Sequence, residues 1–213
     1  MAIKPTAGEK VRAFYEESAD SYDSMMDAEI ELPMYTTALG GLAQRIAAFD
    51  GAVLDSSCGS GHMLEKLKDQ YTPGRQFIGV DLSPRMVAIA QKRLGRTATI
   101  VEGDMAALVH VQDASCAAVL SYFALHHVDL ESMQSCFAAW HRVLKTGGQL
   151  LVATWEGEGT IDYGDQTNMV ACRYRPEQIA QAAHTTDFSI DSNCVEEVEG
   201  MEMDAVYLTA TKR

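Results

Sequence analysis

The sequence predicts an α/β chain built on a doubly wound, mostly parallel sheet. Three observations carry that expectation. Short apolar segments alternate with amphipathic ones between residues 52 and 154, the β-α-β-α-β order of a parallel sheet with helices on both faces. The stretch Gly51-Ala-Val-Leu-Asp-Ser-Ser-Cys-Gly-Ser-Gly-His62 joins an apolar strand to a helical pattern through glycines. Such a turn lets the backbone approach a ligand, and the following helix offers free N–H groups. After Trp155 the texture changes to two alternating segments, which read as a hairpin pair closing one edge of the sheet.

Each element has its own signal. Val11, Phe14, Tyr15, Ser18 and Tyr22 recur at helical spacing over 8–30, Pro33 interrupts, and Leu39, Leu42 and Ile46 mark a second helix over 34–48. Both precede the first strand, so they are expected to cap the sheet. The first strand is 52–55, ending on Asp55, with a helix over 61–70 and a turn at Thr72-Pro-Gly-Arg75. A second strand, 76–81, ends on Asp81. Ser83 and Pro84 then open a helix as N-cap and first residue, where a missing N–H costs nothing. The third strand is 97–101. Residues 116–121 form a continuous apolar run of the kind buried on both faces. A helix over 130–145 leads through the turn Thr146-Gly-Gly148 to a strand at 149–154. A glycine-rich loop, 156–164, a helix from 175 to 183 and strands at 188–198 and 204–211 complete the chain.

At 213 residues one domain is expected over 1–213: a cap (1–48), a core (49–155) and a closing segment (156–213). No apolar run has the length of a membrane span, and residues 1–10 lack the apolar core of a signal peptide, so a cytoplasmic protein is expected. Five cysteines, odd in number and without a C-x-x-C pair, fit reduced thiols, with no metal site. The net charge is −13: residues 1–50 carry four bases and nine acids, 51–148 nine of each, and 149–213 four bases and twelve acids. No basic face is available to exchange for counterions, so nucleic acid is not an expected partner. The acidic ends read as a solubilising surface or, more sharply, as a frame for a neutral or cationic substrate.

Asp81 lies twenty residues after Gly61, where a ribose-binding carboxylate belongs in a Rossmann-like sheet. A dinucleotide fingerprint needs a third glycine three residues after Gly61, and Leu64 stands there. That disfavours a nicotinamide-dependent oxidoreductase.

Over residues 15–155 the chain resembles the class I S-adenosylmethionine-dependent methyltransferases, in particular the small-molecule group with the ubiquinone/menaquinone-type enzymes. The resemblance rests on a series: Leu54-Asp-Ser-Ser-Cys-Gly-Ser-Gly61, Gly79-Val-Asp-Leu-Ser83, Glu102-Gly-Asp-Met105, Ser121-Tyr-Phe-Ala-Leu-His-His127, Leu144-Lys-Thr-Gly-Gly148 and Glu16-x-x-Ala-x-x-Tyr22-Asp23. Thr146 stands where the family usually has proline. The acid common in strand four is replaced by Ala117 or Ala118, and the Asn/Asp-Pro-Pro-Tyr motif of nucleic-acid amino-methyltransferases is absent.

The resemblance implies a Rossmann-like, seven-stranded sheet with an N-terminal helical cap and an antiparallel C-terminal edge. It implies S-adenosylmethionine as cofactor, S-adenosylhomocysteine as product, and methyl transfer to a small molecule through O, N or S. The cofactor residues it points to are Tyr15, Tyr22, Asp55, Ser57, Cys58, Gly59, Gly61, Asp81, Leu82, Met86, Asp104, Met105, Ser121 and Tyr122. Asp81 would hold the ribose and Asp104 with Met105 the adenine, while Cys58 is expected to pack rather than react. His126 and His127 are the candidates for a catalytic base. Met26, Tyr35, Trp155 and Tyr163, with Met25 beside them, are candidate substrate walls; His62 is expected at the surface, and Arg173 and Arg175 in ion pairs. A monomer or homodimer is expected, away from membranes. The alternative function is a non-catalytic cofactor-binding interaction module.

Overall fold

The computed structural model describes residues 8–162, 169–198 and 202–213. In chain order, α1 (Gly8–Glu29) and α2 (Pro33–Ile46) precede β1 (Ala52–Asp55), α3 (His62–Lys66), β2 (Phe77–Asp81), α4 (Pro84–Leu94), β3 (Ala98–Glu102) and β4 (Cys116–Tyr122). Then come α5 (Leu130–Val143), β5 (Leu144–Trp155), β6 (Thr160–Asp162), β7 (Val170–Cys172), α6 (Pro176–Thr185), β8 (Phe188–Glu197) and β9 (Asp204–Lys212).

Seven strands form one sheet in the order β3-β2-β1-β4-β5-β9-β8. The first five run parallel, and β9 and β8 close the edge antiparallel. The expected mostly parallel, seven-stranded Rossmann-like architecture is therefore present. Strand order reverses between β1 and β4, the position where open α/β sheets bind ligands. All seven residues of β4 are buried, as its unbroken apolar run requires. One face of the sheet carries α2, α3 and α4, with Leu39, Ile46, Leu64 and Phe77 in its core. The other carries α5 and α6, packed through Phe137, Trp140, Ile179 and Phe188.

Local chemistry fixes the helix starts. Ser83 caps α4 by accepting the Met86 N–H, and Asp129 caps α5 by accepting the Ser132 N–H at 2.8 Å. The five cysteines are all unpaired. No helix among the described residues is long and apolar enough to cross a membrane.

The structure differs from the sequence reading in four places. The helix expected over 61–70 is α3 plus one π-helical turn, Leu67–Tyr71. There the Thr72 amide and hydroxyl both bond the Leu67 carbonyl, at 2.7 and 3.2 Å. The Thr146-Gly-Gly148 turn lies inside β5, which pairs with β4 from Leu144 onward through a register shift. Gly147, at φ 79°, supplies the bend that keeps pairing on both sides of it. The glycine-rich loop contains β6, which pairs antiparallel with β7 as a separate two-stranded sheet. His62 is buried rather than at the surface, held between Ser60 and Asp27.

Candidate active site

The glycine turn after β1 forms one wall of the site, and its two glycines do different work. Gly59 adopts φ 50°, and a Cβ there would lie 3.1 Å from the ring of Tyr22. α1 thus rests directly on the turn through Tyr22. Gly61 adopts φ 90° and faces away, where a Cβ would meet Ala90 and Leu94 of α4 at 3.1 Å. It serves helix packing and does not border the cavity.

Asp81 organises the turn from the end of β2. One carboxylate oxygen accepts the Gly59 N–H at 2.8 Å and the other the Ser83 N–H at 2.9 Å. Burial pushes this carboxyl up, and the N–H groups of Ser83, Gly59 and Leu82 pull against that. A carboxylate has about four lone-pair directions, so capacity for ligand hydroxyls remains.

A cavity of about 440 Å³ opens over the carboxyl ends of β1, β2, β3 and β4. Ser57, Gly59, Asp81 and Leu82 line one side; Met86, Asp104 and Met105 line the far end; Tyr15 and Tyr22 of α1 cover it; Tyr122 and His127 border it from beyond β4. Asp104 turns one oxygen to the Ala106 N–H at 2.8 Å. A second chamber of about 40 Å³ adjoins the glycine turn, bordered by Met26, Tyr35, Asp55, Cys58 and His62. Tyr22, Ser57, Tyr122 and Phe123 border both spaces. The Ser57 hydroxyl is buried without a hydrogen-bond partner among the described residues. Asp55 is 2 % exposed. Burial pushes its carboxyl up to about 7, with the Ser57 N–H opposing and the charge of Asp81 reinforcing.

The two histidines are not equivalent. His127 borders the cavity, and its Nε2 lies 2.9 Å from the Tyr15 hydroxyl. Burial pushes its imidazole down to about 4. His126 is buried behind it, with ring centroids 4.1 Å from His127 and 6.5 Å from Trp155, and it borders neither space. Burial, then the neighbouring His127, push it well below the ordinary imidazole range.

Ser121 is buried in β4, its hydroxyl unpartnered among the described residues, and borders neither space. Trp155 packs on Phe123 at 4.5 Å between ring centroids and also borders neither. Met25 is 44 % exposed. Tyr163 lies outside the described residues. Arg175 pairs with Glu158 at 2.6 Å, and Arg173 donates to the Glu156 carbonyl at 2.7 Å.

The α1 acids do not frame the cavity. Glu16, Asp20, Asp23 and Asp27 turn toward α3 and α4 and engage Ser83, Arg85, Arg93 and His62.

Sequence reasoning missed Phe123, Val11, Arg12 and Ser83 as cavity residues. For Val11 a signal existed, since it shares helical spacing with Tyr15 and Tyr22. Phe123 had none in its residue type: it borders the site because it leaves β4 at φ 49°, a conformation a bulky side chain rarely adopts.

The profile of the methyltransferase domain family matches residues 53–148. An uncharacterised methyltransferase of Geobacillus sp. (strain WCH70) is 26% identical over 151 residues, covering 68% of each chain. Among solved structures, the Burkholderia thailandensis 1,6-didemethyltoxoflavin-N1-methyltransferase, with bound 1,6-didemethyltoxoflavin and S-adenosylhomocysteine, aligns with a TM-score of 0.71 at 18% identity, covering 100% of this chain and 93% of that one. The Streptomyces coelicolor geranyl diphosphate C-methyltransferase, in complex with Mg2+, geranyl diphosphate and S-adenosyl-L-homocysteine, aligns with a TM-score of 0.71 at 14% identity, covering 99% and 100%.

Proposed function

We propose that this chain is a class I, S-adenosylmethionine-dependent methyltransferase and that it methylates a small molecule; its residues 53–148 match the methyltransferase domain family. One observation carries the reading: the cavity at the β1/β4 switch point brings the turn of Gly59, the carboxylate of Asp81 and the Asp104–Met105 pair to one space. The fit to the cofactor has independent support in the unpartnered Ser57 hydroxyl and the spare acceptor capacity of Asp81.

S-adenosylmethionine supplies a methyl group already activated on a sulfonium. The protein's task is then to bind, orient and exclude water. Asp81 would take the ribose hydroxyls. Leu82, Met86, Met105 and Asp104 would hold the adenine. Gly59, Ser57 and Asp55 would hold the amino-acid end, with Tyr22 and Tyr15 of α1 covering the site. Gly61, Cys58 and Ser121 shape these elements from behind. Tyr122 closes the space from β4. Met26 and Tyr35 border the second chamber together with Asp55, on the amino-acid side, and Trp155 braces Phe123.

His127 is the one of the two histidines placed to meet an acceptor. It is neutral at physiological pH. When Nε2 donates to the Tyr15 oxygen, Nδ1, buried and without a partner among the described residues, keeps its lone pair and can accept a hydrogen bond. His126 sets the position of that ring.

A small molecule is favoured as acceptor by three features. Both solved relatives are named for small-molecule substrates. The net charge is −13, which disfavours the phosphate backbone of nucleic acid. The strand-four acid of nucleic-acid amino-methyltransferases is absent. The test is calorimetry with S-adenosylmethionine and S-adenosylhomocysteine, followed by a tritium-methyl transfer screen over small alcohols, amines and thiols. Binding with transfer to one of these is the expected result. Binding with transfer only to protein or nucleic acid, or to nothing, overturns the reading.

A further inference from the structure

α1 lies across the cavity yet has a thin apolar face: Val11, Ala19 and Met26 are its buried residues. Its seat on the core is largely polar. Asp20 pairs with Arg85, Asp23 and Asp27 with Arg93 at 2.8 and 3.2 Å, and Asp27 with His62 at 2.8 Å. Those contacts reach α3 and α4 through side chains. Glu16 differs from them. Its carboxylate accepts the Ser83 hydroxyl at 2.7 Å and the backbone N–H of Arg85 at 3.1 Å.

Those two bonds fall on the first turn of α4. Ser83 gives its own hydroxyl oxygen to the Met86 N–H at 3.2 Å, and Pro84 has no N–H to satisfy. Glu16 therefore completes the cap from another helix, at the end of α4 where a carboxylate is favoured. The same hydrogen bonds hold its carboxyl below the ordinary range, so it stays charged. The relay continues inward: the Ser83 N–H binds Asp81, and Asp81 binds the Gly59 N–H. Leu82, Ser83 and Met86 all border the cavity. Among the hydrogen bonds that α1 makes within the described residues, those of Glu16 alone reach the Asp81–Ser83 loop.

We propose that Glu16 is a positioning residue: docked through Ser83 and the start of α4, it holds the Asp81–Ser83 loop in its ribose-binding shape and couples the seating of α1 to cofactor affinity. This rests on the assignment of Asp81 to the ribose. α1 then does more than cover the site, because its arrival completes the site's binding edge.

The test uses the full chain and S-adenosylhomocysteine, with affinity from calorimetry and release from stopped-flow. Glu16→Ala is expected to weaken binding about fivefold, mostly through faster release, as loss of a charge-assisted pair of hydrogen bonds predicts. Glu16→Gln keeps an acceptor oxygen and is expected to stay within about twofold of wild type. Asp20→Asn, which removes an α1–α4 ion pair without touching the loop, is expected to change little at moderate salt. Amide exchange in Glu16→Ala should rise at residues 82–87 before ligand is added. Wild-type affinity in Glu16→Ala, or equal losses in Glu16→Ala and Asp20→Asn, overturns the proposal. Failure of the wild-type chain to bind S-adenosylhomocysteine overturns the reading of the site itself.

Discussion

The Tyr15 hydroxyl sits 2.9 Å from Nε2 of His127, joining the helix that covers the cavity to the segment that leaves β4. The two rings also meet edge to face, with centroids 5.4 Å apart. His127 is pushed down to about 4 by burial, so it carries no charge at neutral pH. A folded value below the unfolded 6.5 means the fold prefers the neutral ring. The associated stability is present above pH 6.5 and is lost as pH falls through 4. Relative to His127→Gln, the wild type should lose on the order of 1–3 kcal/mol between those limits, read by denaturant unfolding at several pH values. In transfer assays, any acid limb from His127 should fall near 4. A limb near 6.5 that vanishes in His127→Gln would show a charged, solvated imidazole instead.

Asp55 titrates in the opposite sense. Its folded value of about 7 stands above the ordinary 3.8, because burial favours the protonated acid. The stabilising contribution is complete below pH 3.8 and is lost as pH rises through 7. Asp55→Asn should therefore gain stability over wild type at pH 8, on the order of 1–4 kcal/mol, and gain nothing at pH 4. A ligand ammonium in the second chamber reverses the preference. At pH 6, S-adenosylhomocysteine binding should release up to about one proton, seen as a dependence of the calorimetric enthalpy on buffer ionisation. The release should disappear in Asp55→Asn.

The cofactor side of the fold was legible because its signals are local. The Ser83-Pro84 start of α4 needs only a hydroxyl and a ring without an N–H, and it appears where the sequence places it. The β4 run reads as doubly buried, and it is. The hairpin edge follows from alternation, and β8 and β9 form it. What the sequence left open depends on distant pairings. His62 looks like a surface residue because its partners, Asp27 and Asp23, come from another helix. The acidic stretch of α1 reads as a frame for substrate until Arg85 and Arg93 are seen to face it. His126 and His127 are neighbours in sequence, yet the short helical turn at Leu125–His127 sends only one of them to the cavity.

Gly59 and Gly61 should separate binding from stability. In Gly59→Ala the new methyl group meets the Tyr22 ring at 3.1 Å, and the backbone must stay left-handed, at a cost of about 1 kcal/mol. The ring is on the cavity side, so the larger effect is expected on S-adenosylhomocysteine affinity, about tenfold or more. In Gly61→Ala the methyl group presses on Ala90 and Leu94 inside the α3–α4 packing. Overpacking of this kind costs about 1–3 kcal/mol, so Gly61→Ala should lower the melting temperature by several degrees. Thermal melts and calorimetry on both variants check the split; equal profiles would mean that the two glycines share one role.

Asp81 should prove the least replaceable residue of the site, because it acts on both sides of the cavity wall. Toward the protein it holds the amides of Gly59 and Ser83; in the proposed function its remaining lone pairs serve the ribose. Asp81→Ala removes both, leaving two N–H groups without their acceptor and the ribose hydroxyls without theirs. S-adenosylhomocysteine affinity is expected to fall at least a hundredfold. Asp81→Asn separates the two tasks: one oxygen can still accept from an amide, while the NH2 group faces the other N–H as a second donor. The turn is then partly kept, and affinity should drop less than in Asp81→Ala but by more than tenfold. Binding by Asp81→Ala within a few-fold of wild type would remove Asp81 from the cofactor site and leave it as a brace for the glycine turn.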